Sequence, residues 1–282
     1  MAVKTAKYAI SYVLEKQRTA REYIQEFVFT KDISEDYNHE VTLDLAPGDY
    51  SIMVWSDLME SGAGNPHHNA DDFAEITLQG DHEANNDYRD AFRGTGNISL
   101  AADVTEQVPG MLAITMQRPL AKFEVITNDL AEFIEKQTLG MAAGNDGVKS
   151  AEENPEARIR FEDYRVVFYY VGFMPDTYSM FTDKPVDSVT GVTFQSVLRR
   201  MDDAQATLGF DYVFVNGKES AVTVRIGIYD DEGTQLSLTE PIEIPLKRNH
   251  HTVLRGKFLM SEASGGVTIN PNFDGDHNLI FP

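Results

Sequence analysis

Apolar positions along this chain recur mostly with period 2, or in short runs rich in β-branched and aromatic residues. Both patterns predict strands, half-buried in the first case and interior in the second. Tyr8, Ile10, Tyr12 and Leu14 alternate with Ala9, Ser11 and Val13, and Val41, Leu43 and Leu45 alternate with Thr42 and Asp44. After a Pro47-Gly48-Asp49 turn, residues 50–55 are apolar on both faces, which predicts an interior strand. Residues 56–86 are rich in Gly, Asn, Asp and His and predict a long loop with one short strand at 76–78. Further strands are predicted at 97–100 and 112–116, and the run from Arg118 to Lys122 reads as a crossover into a strand at 123–127.

The best helical pattern of the second half falls at 129–137, where Leu130, Phe133 and Ile134 lie at i, i+3 and i+4 behind an Asn128 N-cap. Residues 140–155, rich in Gly, Asn and Glu, predict a mobile connection, and strands resume at 164–171 and 192–198. The segments 210–215 and 221–229 flank Asn216-Gly217, which predicts a hairpin with a tight turn, and Val222, Val224, Ile226 and Ile228 share one face of its second strand. Pro241 and Pro245 mark the segments around 236–238 and 242–246 as edge strands, and strands at 252–260 and 266–269 complete the run. This succession predicts an all-β chain of two tandem antiparallel β-sandwich domains, residues 1–118 and 119–282, with one short helical insertion.

Composition narrows the function. With 24 Lys+Arg against 45 Asp+Glu, the 282-residue chain carries a net charge of −21, and no basic cluster exceeds two residues. That disfavours nucleic acid and anionic lipid as partners. A hydrophobic fraction of 42% belongs to a globular chain, not a disordered one. The absence of cysteine removes thiol nucleophiles, disulfides and Cys-zinc sites. The start of the chain, Met1 to Lys7, has no apolar segment of the kind a signal peptide needs, so the chain is either intracellular or a trimmed mature form.

Catalytic motifs are missing: there is no G-x-S-x-G, H-E-x-x-H, Walker A or G-x-G-x-x-G element. We therefore expect no catalytic residue, no cofactor and no metal. His67, His68, Asp71, Asp72 and the Asp81-His82-Glu83 run would suit zinc or manganese only if the loop folded back on itself, and a solvated acidic loop is the simpler reading. His250-His251 suits a turn into a strand, and the run from Asn272 to Asn278 resembles a calcium loop with its Gly misplaced and no closing Glu. Tyr164, Phe168, Tyr169, Tyr170, Phe173, Tyr178 and Phe181 could form a sugar-stacking platform, although core packing is the commoner use of aromatic strands.

Four segments in order resemble the fimbrillin-like surface proteins of Bacteroidales, the subunits and anchors of type V pili, with cell adhesion proteins among them. These are Leu45 to Asp57, with its Pro47-Gly48 turn and Trp55-Ser56-Asp57 ending; Tyr88 to Gly94; Met116 to Val125, with Arg118-Pro119-Leu120-Ala121-Lys122; and Arg248 to Leu259, continued by Val267 to Asp276. The resemblance implies two transthyretin-like sandwiches, no enzymatic site, export as a lipoprotein, and a place at the cell surface, in the outer membrane or fimbrium. The leader and lipidated Cys of such proteins are absent from this sequence, as in a trimmed form, so any membrane attachment would run through a lipid anchor outside it. The resemblance also implies assembly with other pilus subunits by strand exchange and adhesion to host or bacterial surface ligands. It makes Arg18 and Arg21 candidate processing sites behind the first strand. Val267, Ile269, Leu279 and Phe281 become either donor-strand residues or the last strands of their own domain. The alternative function is a carbohydrate-binding surface module; a metal-dependent hydrolase resting on His67, His68 and Asp72 ranks third.

Overall fold

The computed structural model describes residues 6–16, 22–31, 40, 42–60, 67–101, 110–144, 159–217, 219–260 and 277–280. The first strands in chain order are β1 (Ala6–Lys16), β2 (Glu22–Lys31), β3 (Gly48–Glu60), β4 (His68–Asn69), β5 (Ile76–Leu78), β6 (Ala91–Leu100) and β7 (Leu120–Thr127). The helix α1 (Leu130–Gly144) follows, then β8 (Arg165–Tyr170), β9 (Phe173–Ser179), β10 (Lys184–Thr190), β11 (Thr193–Val197), β12 (Arg199–Arg200) and β13 (Ala206–Phe214). The last strands are β14 (Glu219–Tyr229), β15 (Gln235–Leu238), β16 (Ile242–Lys247), β17 (His251–Gly256) and β18 (His277–Ile280). The chain is all-β, with strands over 53% of it and, among the described residues, a single α-helix.

Two compact units divide the chain. One comprises Met1–Asp81, Asn86–Leu120 and Pro175–Asp187, the other His82–Asn85, Ala121–Met174 and Ser188–Pro282. The chain thus passes from the first unit to the second at Leu120/Ala121, beside the crossover predicted at Arg118–Lys122, but short segments return across that point in both directions.

In the first unit the main sheet runs β2-β1-β3-β6, all antiparallel. Trp55, fully buried on β3, packs with ring centroids 5.5 Å from His68 and 6.0 Å from Tyr178, while Phe73 and Ile76 close the same core. The opposite face of β3 and β6 carries Tyr50, Ile52, Val54, Ile98 and Leu100, packed against Leu43 and Leu45. Both segments predicted as strands on this side, around 43–45 and 112–116, lie outside any sheet. Their alternating apolar side chains are satisfied by packing on a sheet face; period 2 reports which side is buried, not whether the backbone is paired.

The second unit is a sandwich of two five-stranded sheets, β12-β13-β7-β17-β18 and β11-β8-β14-β15 with β16 also on β14. Its core takes Phe123 and Val125 from β7, Phe168 from β8, Leu208 from β13, Leu254 from β17, and Val222, Val224, Ile226 and Ile228 from β14. Each of those four β14 residues is at most 2% exposed, and burying a side chain of this size contributes roughly 1.5–3 kcal/mol. Helix α1 adds Leu130, Phe133 and Ile134 to the same core, as its i, i+3, i+4 spacing predicted.

Three local expectations are corrected. β13 and β14 lie in different sheets, so Asn216-Gly217 turns the chain from one layer to the other instead of closing a hairpin. Of that pair only Gly217 has positive φ, at 68°, whereas a tight type I′ hairpin turn needs positive φ at both positions. The helix N-cap is Asp129, whose carbonyl accepts the first helical bond from Phe133 N at 3.0 Å; Asn128 N is instead bonded to Gly256 O at 2.9 Å. The third correction concerns local strand direction, since β7 pairs β17 and β17 pairs β18 in parallel, whereas β8 pairs β11 and β14 antiparallel in the facing sheet. The proline-bearing β16 borders β14 with Pro245 opposite Ala221, where a missing amide donor is tolerated.

Candidate assembly site

Strand β1 sits inside its sheet. It pairs antiparallel with β3 over eleven residues, from Ala6↔Glu60 to Lys16↔Tyr50, and on its other side with β2 over nine. The chain then reaches β2 through residues 17–21 only, which contain Arg18 and Arg21. Those two arginines lie outside the described residues. A chain cut there leaves β1 held by backbone pairing without its covalent link to β2. Loss of β1 would unpair one side of β3 and one side of β2, a slot that another strand can fill.

At the other end of the chain, β18 is the last strand of its sheet. It pairs in parallel with β17 over four residues, Thr252↔His277 to Arg255↔Ile280, so that Leu279 stands opposite Leu254. Four residues make few ladder bonds, and on its partner strand Thr252 and Leu254 are fully buried. Val267, Ile269 and Phe281, and residues 272–276 of the calcium-like run, lie outside the described residues. The turn entering β17 holds Asn249 at φ 61°, with His250 N bonded to Lys247 O at 3.1 Å, so His250 serves the turn as its sequence position suggested. On β17, His251 Nε2 lies 3.2 Å from Glu124 Oε2 on β7. That interaction, aided by nearby Lys122 and Arg255 and opposed by burial, holds the Glu124 carboxyl below its usual range.

The residues weighed as metal ligands are engaged elsewhere. His68, 1% exposed, gives Nδ1 to Asp57 Oδ1 at 2.5 Å, and the other oxygen of Asp57 accepts Trp55 Nε1 at 2.9 Å. This pairing joins β4 to β3 and explains the Trp-x-Asp ending of the first motif. In the second unit, Asp211 is buried and accepts from His82 Nε2 at 2.7 Å, from the Tyr170 hydroxyl at 2.6 Å and from Tyr212 N at 2.8 Å. Asp71 and Asp72 stay at the surface in local turns, with the Asp72 carboxylate accepting Ala74 N. Among the described residues, no three His, Asp or Glu side chains gather as a metal site would require.

The aromatic platform is core instead. Tyr164, Phe168, Tyr170 and Tyr178 are at most 5% exposed, Phe168 stacks on Phe194 at 4.4 Å, and Phe173 alone of the seven aromatics remains open, at 73%. Tyr169 is half-buried, and its hydroxyl lies 2.8 Å from that of Tyr229. Sequence reasoning missed the buried acceptors Asp57 and Asp211. A carboxylate inside an apolar alternation was the available signal in both cases.

Comparison with known proteins now bears on these features. The profile of a family described as a family of unknown function, DUF6562, matches residues 2–282. The chain belongs to that family. No curated protein matches the DUF6562 chain by sequence. Its solved structural neighbours include a candidate polysaccharide-binding protein of Bacteroides thetaiotaomicron, at 10% identity and TM-score 0.44, covering 83% of this chain and 72% of that one. The fimbrial anchor protein Mfa2 of Porphyromonas gingivalis aligns at 10% identity and TM-score 0.41, covering 84% and 74%. A candidate cell adhesion protein of Bacteroides eggerthii aligns at 12% identity and TM-score 0.38, covering 98% and 88%. At TM-scores below one half, these likenesses transfer no function to the DUF6562 chain. Among the described residues, no helix is long and apolar enough to cross a membrane.

Proposed function

We propose that this protein is a fimbrillin-like cell-surface protein, structural and not catalytic, that works in adhesion and joins other subunits by exchanging β-strands. The observation that carries the reading is the position of β1. An N-terminal strand paired on both sides, with two arginines directly behind it, is a strand that one proteolytic cut would make removable. The short parallel strand β18 supports the complementary half, a C-terminal segment carrying Val267, Ile269, Leu279 and Phe281 that leaves its own sheet to fill the slot of a neighbour. The fimbrillin-like motifs lie on this framework in order: the first builds β3, the partner of β1, and the last builds β17, the partner of β18. A net charge of −21 keeps such a displayed surface self-repelling until pairing is triggered. In this reading the protein stands outside the cell, in the outer membrane or fimbrium, held by a lipid anchor.

The test is limited digestion with an Arg-specific protease, followed by native electrophoresis and titration with a synthetic peptide of residues 265–282. The expected result is loss of the β1 segment, a ladder of oligomers, and peptide binding that Leu279→Asp and Phe281→Asp abolish. An Arg18→Ala/Arg21→Ala double variant should remain monomeric throughout. Cut protein that stays monomeric and ignores the peptide would overturn the assembly reading.

A further inference from the structure

The Trp55 face of the first unit's sheet is closed at one end and open at the other. Register pairs Trp55 with Arg93, Met53 with Thr95 and Ser51 with Asn97, so these six side chains share that face. Beyond the buried Trp55–Tyr178 contact lies a groove of about 320 Å3, walled by the turn at 180–183 and lined by Met53, Arg93, Asn97, Met180, Phe181 and Asp183. Its volume falls at the lower end of the ~300–1,000 Å3 typical of small-ligand sites.

Arg93 dominates this groove. Its side chain is only 14% exposed, and its Nε, buried and without a hydrogen bond among the described residues, lies 3.4 Å from Asp183 Oδ1. A charged N–H donor drawn out of water with no acceptor in hydrogen-bonding geometry is a standing expense of free energy, which an oxygen-bearing ligand would relieve. Asp183, also held by the Tyr178 hydroxyl, adopts φ 55°, a left-handed conformation retained here at the groove wall. Ser51 Oγ donates to Asn97 Oδ1 at 2.8 Å and so orients that amide at the groove's outer end.

The charge balance selects the ligand. Asp183 offsets Arg93, so a carboxylate or phosphate would enter a site already neutralised, on a chain of net charge −21. A neutral vicinal diol fits both groups at once: one hydroxyl oxygen accepts from the guanidinium while the other hydroxyl donates to the carboxylate. The C–H face of the ring that bears such a diol would lie against Phe181 and Met180. We propose that this groove binds a neutral pyranose sugar, its diol bridging Arg93 and Asp183 and its apolar face resting on Phe181. The site is separate from the aromatic strand of the second unit, and sugar binding here does not depend on strand exchange.

Saturation-transfer NMR with methyl α-mannoside, methyl β-galactoside and methyl α-fucoside tests this on the intact protein, with competition by acetate and phosphate as the control. At least one glycoside should bind with a dissociation constant on the order of 1 mM. Arg93→Met and Phe181→Ala should each weaken it about tenfold or more without changing the thermal transition. Phe181 lies on a surface turn, so Phe181→Ala and Asp183→Asn decide the matter if Arg93→Met does not fold. No saturation transfer from any of the three glycosides, binding unchanged in the folded variants, or displacement by acetate or phosphate would each overturn the proposal. None of these outcomes touches the protease-and-peptide test of assembly.

Discussion

Replacing Asp57 by alanine removes the acceptor for two donors that have no access to water. Trp55 and His68 are each at most 1% exposed, and their ring nitrogens reach Asp57 at 2.9 and 2.5 Å. Each orphaned donor costs about 1–3 kcal/mol, partly offset because the carboxylate no longer has to be desolvated. The net loss should be about 3 kcal/mol. At roughly 2–4 °C per kcal/mol for a chain of this size, the transition falls by ~6–12 °C. The chain has one tryptophan, and it is the residue concerned, so intrinsic fluorescence follows the first unit specifically. Asp57→Asn, which keeps one acceptor oxygen, should lose about half as much. In a double-mutant cycle, Asp57→Ala with His68→Ala should cost at least ~1 kcal/mol less than the sum of the two single changes. A drop below about 2 °C for Asp57→Ala, or strict additivity, would show that the pair does not join β4 to β3.

Two further outcomes follow from the geometry. At Gly94 an added Cβ would meet Ile114 Cγ2 at 2.5 Å, Met116 Sδ at 2.7 Å and the Thr115 carbonyl at 3.2 Å. Gly94→Ala should therefore destabilise the first unit by about 1–3 kcal/mol, with Ile114→Ala in the same chain recovering part of it; no change in the Trp55 transition would refute the close approach. Burial, and then the hydrogen bond with Tyr229, push the Tyr169 hydroxyl up to about 12. Because this folded value exceeds the unfolded one of about 10, the contribution of Tyr169 is complete below pH ~10 and is lost as pH rises through 12. Ultraviolet titration should show a late-ionising tyrosine that Tyr229→Phe moves to lower pH, and its persistence in that variant would contradict the pairing.

Most of the strand content was legible because a half-buried strand writes its own alternation. Val222, Val224, Ile226 and Ile228 formed the buried face they predicted, and residues 76–78 formed β5 inside a run otherwise read as loop. Other strands were hidden. β2 (Glu22–Lys31) mixes polar and apolar positions, and β10 (Lys184–Thr190) has no buried side chain, so neither carries a stripe to read. The same limit made the segments near 43–45 and 112–116 look like sheet strands, since packing against a face produces the alternation that pairing does. Of the candidate site, the arginines behind the first strand and the apolar residues near the C-terminus were visible as residues. Their significance depends on which strands they adjoin.

What the sequence determined by itself is the set of faces: which side chains turn inward along each strand, that one helix joins the second core, and that the chain is acidic, cysteine-free and without familiar catalytic motifs. Only the tertiary structure decided pairing. It put β1 between β2 and β3, ran β17 parallel to β7, parted β13 from β14, and returned residues 175–187 to the first unit. It also brought His82 to Asp211 across 129 positions. The physical reason is common to all of these. Every residue other than proline offers the same backbone donor and acceptor, so a strand's neighbour is chosen by chain connectivity and by the sum of packing over a whole layer, not by any local pattern.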